Sequence, residues 1–348
     1  MDLIKLINID KESRVPKYQQ IIDSIINNIS EGNLNMGQKI PSINMFSEEF
    51  YLSRDTVEKA YSILKERKII IAILGKGYYV ARTKLLKKLN ILFLINKLSW
   101  YKMEIYNSFI NNIGPNSYTD LHIYHCDESL FLNLLSKHKK AYDYYVIMPH
   151  FKTEDFKHTS TTHEVSEALN TIPKNKLVLL DNNNIPIKNN IITVYEDYKN
   201  DIYKALKNGI KKISKYKKIV LIFPSKTIYP YPQRIKHGFM KFCEEYNLDF
   251  DIIDKVYNDM ILIKGDLFIT IEEDDLVNLI EQIRDKEFIL GTDIGIISYN
   301  DTPLKALLGI TVISTDFKIM GGKTADMILN IESGKVKVPF NFIDRNSI

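Results

Sequence analysis

The sequence has few cysteines and no long apolar run, and both absences restrict the class of protein. Its 348 residues include two cysteines, Cys126 and Cys243, which excludes a disulfide scaffold and fits a reducing cytoplasm. The longest apolar runs, such as residues 91–95, fall far short of the roughly 20 residues that a membrane span needs. Residues 1–5 lack the basic start and continuous apolar stretch of a signal peptide. We therefore expect a cytoplasmic protein with no membrane partner.

The composition and length describe an ordinary globular chain with more than one domain. Hydrophobic residues make up 45% and charged residues 26% of the sequence, which excludes a disordered or fibrous protein. At roughly 150 residues per domain, 348 residues predict two or three domains.

The net charge of +4 is distributed unevenly along the chain. Residues 1–88 hold 15 Lys and Arg against 10 Asp and Glu, whereas the remaining 260 residues hold 32 against 33. Residues 54–88 alone carry a net charge of +7. A local basic excess in a balanced protein indicates a polyanion-binding module joined to a neutral one. A solvated, lysine-rich surface is the alternative on charge alone.

Three short helices are predicted before residue 68. Apolar residues recur at helical spacing between Pro16 and Gly32, which predicts an amphipathic helix of about four turns. Ser42 and Ser53 are good N-caps for a second and a third helix. The third helix combines an apolar face with an opposite face that carries these three polar residues: Arg54, Thr56 and Lys59.

A β-hairpin is predicted after the helices, since residues 68–73 and 78–80 are β-rich runs around a Gly75-Lys76-Gly77 turn. Three helices followed by a hairpin is the order of a winged helix-turn-helix. The N-terminal side chains of the third helix can then enter a DNA major groove, where Arg54 can contact guanine with two hydrogen bonds. Lys76, flanked by glycines, can approach a phosphate backbone or minor groove closely.

Motifs over residues 12–82 resemble the GntR family of bacterial transcription regulators, in order and with matching spacings. They are Pro16-Lys17-Tyr18, Gly32-x-Leu34, Gly37-x-x-Ile40-Pro41-Ser42, Leu52-Ser53-Arg54-Asp55-Thr56-Val57, Ala60-Tyr61-x-x-Leu64 and Gly75-x-Gly77-x-Tyr79-Val80. Where the family usually has arginine, this chain has Asn44, which can still read adenine or hold a phosphate.

The resemblance implies that the operator is contacted from both the helices and the hairpin. The expected DNA-binding residues are Ser42, Asn44, Ser53, Arg54, Thr56, Lys59, Lys76, Gly77 and Tyr78. Ser42 and Ser53 are also helix caps, and Gly77 is as well explained by the needs of the turn.

From Leu89 onward, strands alternate with helices, which is typical of parallel α/β sheets. The predicted strands are 89–95, 121–124, 144–148, 177–180, 191–195, 219–223, 267–271 and 294–299. About 260 residues with this many units fit two doubly wound lobes better than one. Ligands of such sheets bind at the carboxyl ends of the strands, here in the cleft between the lobes.

Several segments of this region resemble LacI/GalR regulators, which implies a two-lobed effector domain like the periplasmic binding proteins. They are residues 296–303, 310–313, 320–325, 338–347, and Arg234-x-x-x-Gly238-Phe239, in which the arginine stands one place early. A GntR-type head on a LacI-type effector domain is the arrangement of the bacterial arabinose-repressor group. That resemblance implies a repressor whose operator binding is relieved by a sugar.

A sugar site needs planar bidentate groups for hydroxyls and an aromatic face for the ring. Polar and aromatic residues of this kind follow several predicted strands and should converge on the cleft. The candidate effector-binding residues are Trp100, Tyr101, His150, Arg234, Glu272, Glu273, Asn300 and Asp301. The alternatives are that Asp301 caps a helix and that Tyr101 packs within a lobe. A neutral sugar is favoured over a phosphorylated one, since acids and amides outnumber cations among these residues.

No metal, cofactor or catalytic residue is predicted. His122 and His125 lie in a strand-like run that directs them to opposite faces, which disfavours zinc. Asp251 with Asp254, and the acidic run over residues 272–275, could suggest paired catalytic carboxylates, but nothing supplies a neighbouring nucleophile.

The sequence thus predicts a winged helix-turn-helix at residues 1–82, a linker at 83–88 and a two-lobed effector and dimerisation domain at 89–348. The expected function is a ligand-controlled transcription regulator, a homodimer on a pseudo-palindromic double-stranded operator. One alternative is a DNA-binding head fused to an α/β enzyme such as a pyridoxal-phosphate aminotransferase-like domain, which needs a longer chain. Another is a sugar-binding protein without DNA function, which the basic N-terminal region opposes.

Overall fold

The computed structural model describes residues 7, 9, 10, 13, 15–81, 89–138, 142–182, 184, 185, 187, 191–225 and 227–348. The predicted linker over 83–88 lies outside these residues. Contacts divide the chain into two compact units. The first runs to Leu89 and includes Pro115–Tyr118, and the second contains Asn90–Gly114 and Thr119–Ile348.

The first unit consists of three helices and a small antiparallel sheet. In chain order its elements are α1 (Lys17–Ser30), β1 (Lys39–Ile40), α2 (Ile43–Phe50), α3 (Arg54–Glu66), β2 (Ile70–Ile73) and β3 (Gly77–Val80). The sheet order is β1-β3-β2, so the predicted hairpin forms and gains a short third strand. Its core is formed by the apolar faces of all three helices. This is a winged helix-turn-helix.

The second unit contains two six-stranded sheets with helices packed against them. Its elements begin with β4 (Leu89–Ile95), α4 (Trp100–Ile113), β5 (Ser117–Ile123), α5 (Glu128–Lys137), β6 (Tyr144–Ile147), β7 (Phe151–Lys152), β8 (His158–Thr159), α6 (His163–Asn170), β9 (Leu177–Asp181) and β10 (Ile192–Tyr195). They continue with α7 (Tyr198–Asn208), α8 (Ile210–Ile213), β11 (Lys218–Ile222), α9 (Gln233–Glu245), β12 (Asp249–Ile253), β13 (Asp266–Thr270), α10 (Glu273–Asp285), β14 (Gly295–Tyr299), α11 (Pro303–Leu307), β15 (Thr311–Thr315), α12 (Phe317–Leu329), β16 (Gly334–Lys337) and β17 (Phe340–Ile343).

The two sheets define two lobes. The sheet of the first lobe has the order β16-β10-β9-β6-β4-β5, and that of the second lobe has the order β12-β11-β13-β14-β15-β17. The strand pairings described within them are parallel, except that β15 and β17 run antiparallel. The predicted fold class, a winged helix-turn-helix with a two-lobed doubly wound α/β region, is confirmed.

The chain crosses between the lobes three times: from β10 to α7, from β15 to α12, and from β16 to β17. Helix α12 therefore returns to the first lobe, where it packs closely on α4. Gly321 permits this approach, because a Cβ on it would lie 2.2 Å from the carbonyl oxygen of Ile105. Within the described residues, no helix is both long and apolar enough to traverse a bilayer.

Candidate functional site

The turn between α2 and α3 presents the N-terminus of α3 at the surface of the first unit. Ser42 and Ser53 cap the two helices by accepting hydrogen bonds from the backbone N–H groups of Met45 and Thr56. The Ser53 and Thr56 hydroxyls also lie 2.7 Å apart. Arg54, the first residue of α3, is exposed, and its guanidinium pairs with no other described residue. Its five donors are therefore free to contact a ligand.

Lys59 lies one and a half turns further along α3, on its exposed side. Its Nζ sits 4.0 Å from the centroid of the Tyr18 ring on α1, a cation–π contact that holds the ammonium against the protein surface. Asn44 is exposed in the first turn of α2. These residues place hydrogen-bond donors on the exposed side of the helix-turn-helix.

The hairpin tip carries the other predicted DNA-contacting residues. Lys76 is exposed between Gly75 and Gly77, which have φ values of 72° and 104°. Both glycines adopt the left-handed conformation that this turn requires. Tyr78 lies with its ring 4.9 Å from that of the buried Tyr61, so its aromatic body belongs to the core of the unit.

In the second unit, the cleft between the lobes lies where the strand order of each sheet reverses. In the first lobe, β5 and β6 lie on opposite sides of β4, and in the second lobe, β12 and β13 lie on opposite sides of β11. Ligands of open α/β sheets bind at such reversals of strand order. The loops that follow β4, β6, β11 and β13 line two adjoining cavities. We call them the inner cavity, of about 30 Å³, and the outer cavity, of about 320 Å³.

The floor of the cleft on the first lobe is a buried charged network around Asp181, the last residue of β9. Lys102 Nζ lies 2.6 Å from Asp181 Oδ2, and His150 Nε2 lies 3.0 Å from the same oxygen. The Tyr198 hydroxyl donates to Asp181 Oδ1 at 3.1 Å. His150 Nδ1 is in turn 2.7 Å from Nε2 of His158. The network fixes five side chains at the base of the cleft, which come from α4, the loop after β6, β8, β9 and α7.

The protonation states of this network follow from burial and from the ion pair. Burial opposes ionisation of Asp181, but the charge of Lys102 and the contact with His150 outweigh it and hold the pKa of Asp181 well below its usual range. Burial, followed by the charge of Lys102, lowers the pKa of His150. Burial and the neighbouring His150 lower the pKa of His158 to about 2. The lowered pKa values favour an ionised Asp181 carboxylate beside two neutral imidazoles.

The hinge between the lobes is tied by bonds between the crossover segments. The backbone N–H of Val338 donates to the carbonyl of Tyr195 at 2.9 Å, and Thr315 Oγ1 donates to Glu196 Oε2. Burial, reinforced by the charge of Asp181, raises the pKa of the Glu196 carboxyl well above its usual value. These bonds join the crossovers into one hinge next to the inner cavity.

Direct contacts across the cleft hold the two lobes together in this conformation. Lys97, after β4, donates to the Tyr231 hydroxyl at 3.2 Å and lies 4.6 Å from the centroid of that ring. His125 Nδ1 lies 2.9 Å from the Tyr229 hydroxyl. Burial, then the charge of Lys102, lowers the pKa of Lys97. The structure therefore shows a cleft closed by the aromatic loop between β11 and α9.

Six of the eight predicted effector residues line the cleft. His150 lines the inner cavity, Tyr101 and Asn300 line both cavities, and Trp100, Glu272 and Glu273 line the outer one.

Arg234 and Asp301 line neither cavity. Arg234 is held by Asn184 and Asp197 at 2.6 and 2.9 Å. Asp301 forms a two-bond ion pair with Arg345 at 2.9 and 2.7 Å. As the structure stands, both side chains therefore make structural contacts beside the cleft.

Sequence reasoning missed much of the inner cavity, including Asn96, Lys102, Asp181, Glu196, Tyr198, Tyr231 and Tyr299. Asn96, Asp181 and Glu196 stand at or directly after the carboxyl end of a strand, a signal that the sequence does carry. Among the described residues, no group of three or more His, Cys, Asp and Glu side chains is placed to hold a metal ion. Strand β5 ends at Ile123, so His125 lies beyond the strand in which it was predicted.

A protein-family model matches the first unit. Residues 17–80 match the family model for bacterial regulatory proteins of the gntR family. The chain is similar to the HTH-type transcriptional repressor NagR of Bacillus subtilis (strain 168), with 33% identity over 78 residues, 22% of this chain and 32% of that one. It is also similar to the arabinose metabolism transcriptional repressor of Geobacillus stearothermophilus, with 35% identity over 74 residues, 21% of this chain and 20% of that one. The chain thus matches a third or less of the length of these relatives.

The second unit is similar in structure to a LacI family transcriptional regulator from Lactobacillus casei, solved with bound glucose. The TM-score is 0.58 at 12% identity, over 74% of this chain and 99% of that chain. The protein therefore carries a gntR-type helix-turn-helix domain at its N-terminus, and the rest of the chain has the fold of LacI-type regulators. This fold does not favour the aminotransferase-like alternative.

Proposed function

We propose that this protein is a transcription regulator, acting as a repressor, whose operator binding is controlled by a monosaccharide held in the cleft between the lobes. Residues 1–82 bind DNA and residues 89–348 bind the effector and form a homodimer. The observation that carries the proposal is the presence, in one chain, of a gntR-type helix-turn-helix and a LacI-type fold with a cleft at its strand-order reversals. Both relatives of the first unit described above bear the names of repressors.

The free donors of the first unit support DNA binding. Arg54 stands at the start of α3, where a recognition helix meets base edges, and Lys76 stands at the tip of the wing. One winged helix offers a small contact area, so two copies related by two-fold symmetry bind an inverted repeat more tightly. The predicted operator is therefore pseudo-palindromic.

The composition of the cleft supports a sugar as the effector. The outer cavity, at about 320 Å³, has the size of a small-molecule site, roughly 300–1,000 Å³. Trp100, Tyr101 and Tyr231 offer aromatic faces for the C–H surface of a sugar ring, and Asn300 and Glu272 offer hydrogen-bonding groups. Binding there stabilises one arrangement of the lobes, which changes the spacing of the two heads in the dimer.

Selection from random DNA tests the DNA-binding proposal and defines the operator in the same experiment. The full chain is incubated with a library of duplexes carrying 30 random base pairs, and bound sequences are enriched and read. The expected result is an inverted repeat with two equivalent half-sites. Enrichment of a single unpaired half-site contradicts the dimer, and the absence of any enriched sequence contradicts operator recognition.

The Arg54→Ala variant tests the assigned surface. A bidentate arginine–guanine contact contributes about 1–3 kcal/mol of discrimination, so loss of one in each half-site weakens operator binding about 30-fold or more. Arg67→Ala is the matched control, because it removes the same charge from the opposite end of α3. Equal losses in the two variants contradict base recognition by Arg54. Effector affinity, measured on the same proteins, stays unchanged if the two units work as separate modules.

A further inference from the structure

Two buried polar atoms at the floor of the cleft have no hydrogen-bond partner among the described residues. They are Asn96 Oδ1 and the Tyr299 hydroxyl. Asn96, directly after β4, belongs to the first lobe and is 5% exposed, whereas Tyr299 ends β14 of the second lobe and is 4% exposed. Both residues line the inner cavity. Since a buried polar atom without a partner is costly, the pair marks a place where a bound group completes the structure.

The surroundings of the two residues explain why the protein leaves these atoms unpaired. The amide Nδ2 of Asn96 donates to Cys126 Sγ at 3.3 Å, whereas its Oδ1 has no hydrogen-bond partner among the described residues. The Tyr299 ring packs beside Phe340, with 5.5 Å between the ring centroids, which fixes the position of its hydroxyl. Neither side chain can therefore find another partner by a simple rotation that keeps these contacts.

The donor and acceptor pattern of the inner cavity identifies the missing group. Asn96 Oδ1 accepts hydrogen bonds, Lys97 Nζ donates them, and the Tyr299 hydroxyl does both. A hydroxyl matches all three, since it donates to the amide oxygen and accepts from the ammonium. A carboxylate or phosphate would pair with Lys97, but it brings further acceptor oxygens against Asn96 Oδ1 and a negative charge into the cavity that Asp181 also lines. An ammonium brings a second cation beside Lys97.

We infer that the inner cavity recognises a neutral hydroxyl of the effector and rejects derivatives that carry a carboxylate or phosphate at that position. The volume agrees, because about 30 Å³ holds roughly one water-sized group. The inference rests on the proposed function, since it specifies which sugars the same cleft accepts. Asn96 and Tyr299 are then specificity-determining residues contributed by opposite lobes, so the hydroxyl bridges the closed cleft.

The test uses the full chain and matched sets of carbohydrates. D-glucose, D-galactose, D-mannose, D-xylose, L-arabinose and D-ribose are each compared with their terminal acid and terminal phosphate by titration calorimetry. At least one neutral sugar should bind, with its acid and phosphate at least tenfold weaker. Tighter binding of an acid or phosphate overturns the hydroxyl inference but leaves a sugar-controlled regulator standing. If no member of any set binds, the sugar effector of the proposed function fails as well.

The Tyr299→Phe variant tests the two unpaired atoms directly. It removes one oxygen and keeps the ring, so binding of the neutral sugar should weaken about tenfold, while the ligand-free protein stays as stable as before. Thr193→Val is the matched control, because Thr193 Oγ1 is also buried and unpaired among the described residues but the residue does not line the cleft. It should leave sugar affinity unchanged. Unaltered affinity in Tyr299→Phe, or lower stability of that variant without sugar, overturns the inference.

Discussion

The buried histidine pair at the base of the cleft predicts that the second unit loses stability in mild acid. His150 and His158 are both held neutral in the folded protein, and the pKa of His158 falls to about 2. In the unfolded chain a histidine titrates near pH 6.5. Below that pH the unfolded state binds protons that the folded state does not, so the stability is present above about pH 6.5 and is lost as the pH falls.

The size of the loss follows from the two pKa values of His158. Between pH 7.5 and pH 5, protonation of the unfolded chain at this one residue lowers the free energy of unfolding by about 2 kcal/mol. His150, whose pKa is also lowered, adds to the loss with the same sign. Asp181 contributes little in this range, because its pKa is low in the folded protein and near 3.9 in the unfolded chain.

Trp100 provides a specific assay, because it is the single tryptophan and lies in the second unit. Urea unfolding of the ligand-free full chain is followed by tryptophan emission at pH 7.5, 6.0 and 5.0. His158→Gln should remove about 2 kcal/mol of the acid loss. The control is His163→Gln, because the side chain of His163 is 79% exposed, and this variant should retain the loss. An acid loss that is equally large in both variants refutes the reasoning.

Two further predictions concern packing and charge. Gly321→Ala should destabilise the second unit by about 1–3 kcal/mol, because the new Cβ lies 2.2 Å from the Ile105 carbonyl oxygen. Gly322→Ala, whose new Cβ has its nearest contact at 3.3 Å, should instead stabilise the unit by up to about 1 kcal/mol through helix propensity. Thermal unfolding compares the two variants, and equal shifts in Tm contradict the close packing at Gly321. Lys102→Met should cost about 3–5 kcal/mol in urea unfolding, because it leaves the Asp181 carboxylate buried without its cation, and adding Asp181→Leu should recover most of that loss. A single variant that costs less than about 1 kcal/mol, or a double variant no better than the single one, contradicts the assigned ion pair.

The architecture of the second unit could be predicted because its inner strands are continuous apolar runs. Strands β9 and β13 are buried along their whole length, and their predicted bounds differ from the observed ones by one residue. Strand β12 (Asp249–Ile253) was not predicted, because it lies at the edge of its sheet and two of its five residues are exposed acids. Edge strands carry less of the apolar signal on which sequence reasoning depends.

The helices of the first unit were predictable from local chemistry. Ser42 and Ser53 both cap the helices that their positions predicted, since an N-cap acts on residues only two or three places away. The cation–π contact between Lys59 and Tyr18 was not predictable, because it joins two helices whose relative placement the sequence does not state. The assignment of these residues to DNA contacts stays a prediction.

The location of the cleft could be predicted from the sequence, but the contacts between its side chains could not. Strand ends correctly predicted that His150 and Asn300 line the cleft. The bonds that hold Arg234 and Asp301 depend on partners distant in sequence, Asn184 and Arg345. Buried polar networks require partners from several segments, and a single sequence does not show which segments meet.

The central claim is that a sugar in the cleft controls binding of DNA by the head. Its most direct test is the dissociation constant of the full chain for its selected operator, measured by fluorescence anisotropy with and without a saturating concentration of the neutral sugar that binds best. We expect the sugar to weaken operator binding by about 5- to 150-fold, the range of a typical coupling free energy of about 1–3 kcal/mol. The same dissociation constant in both conditions would contradict the account.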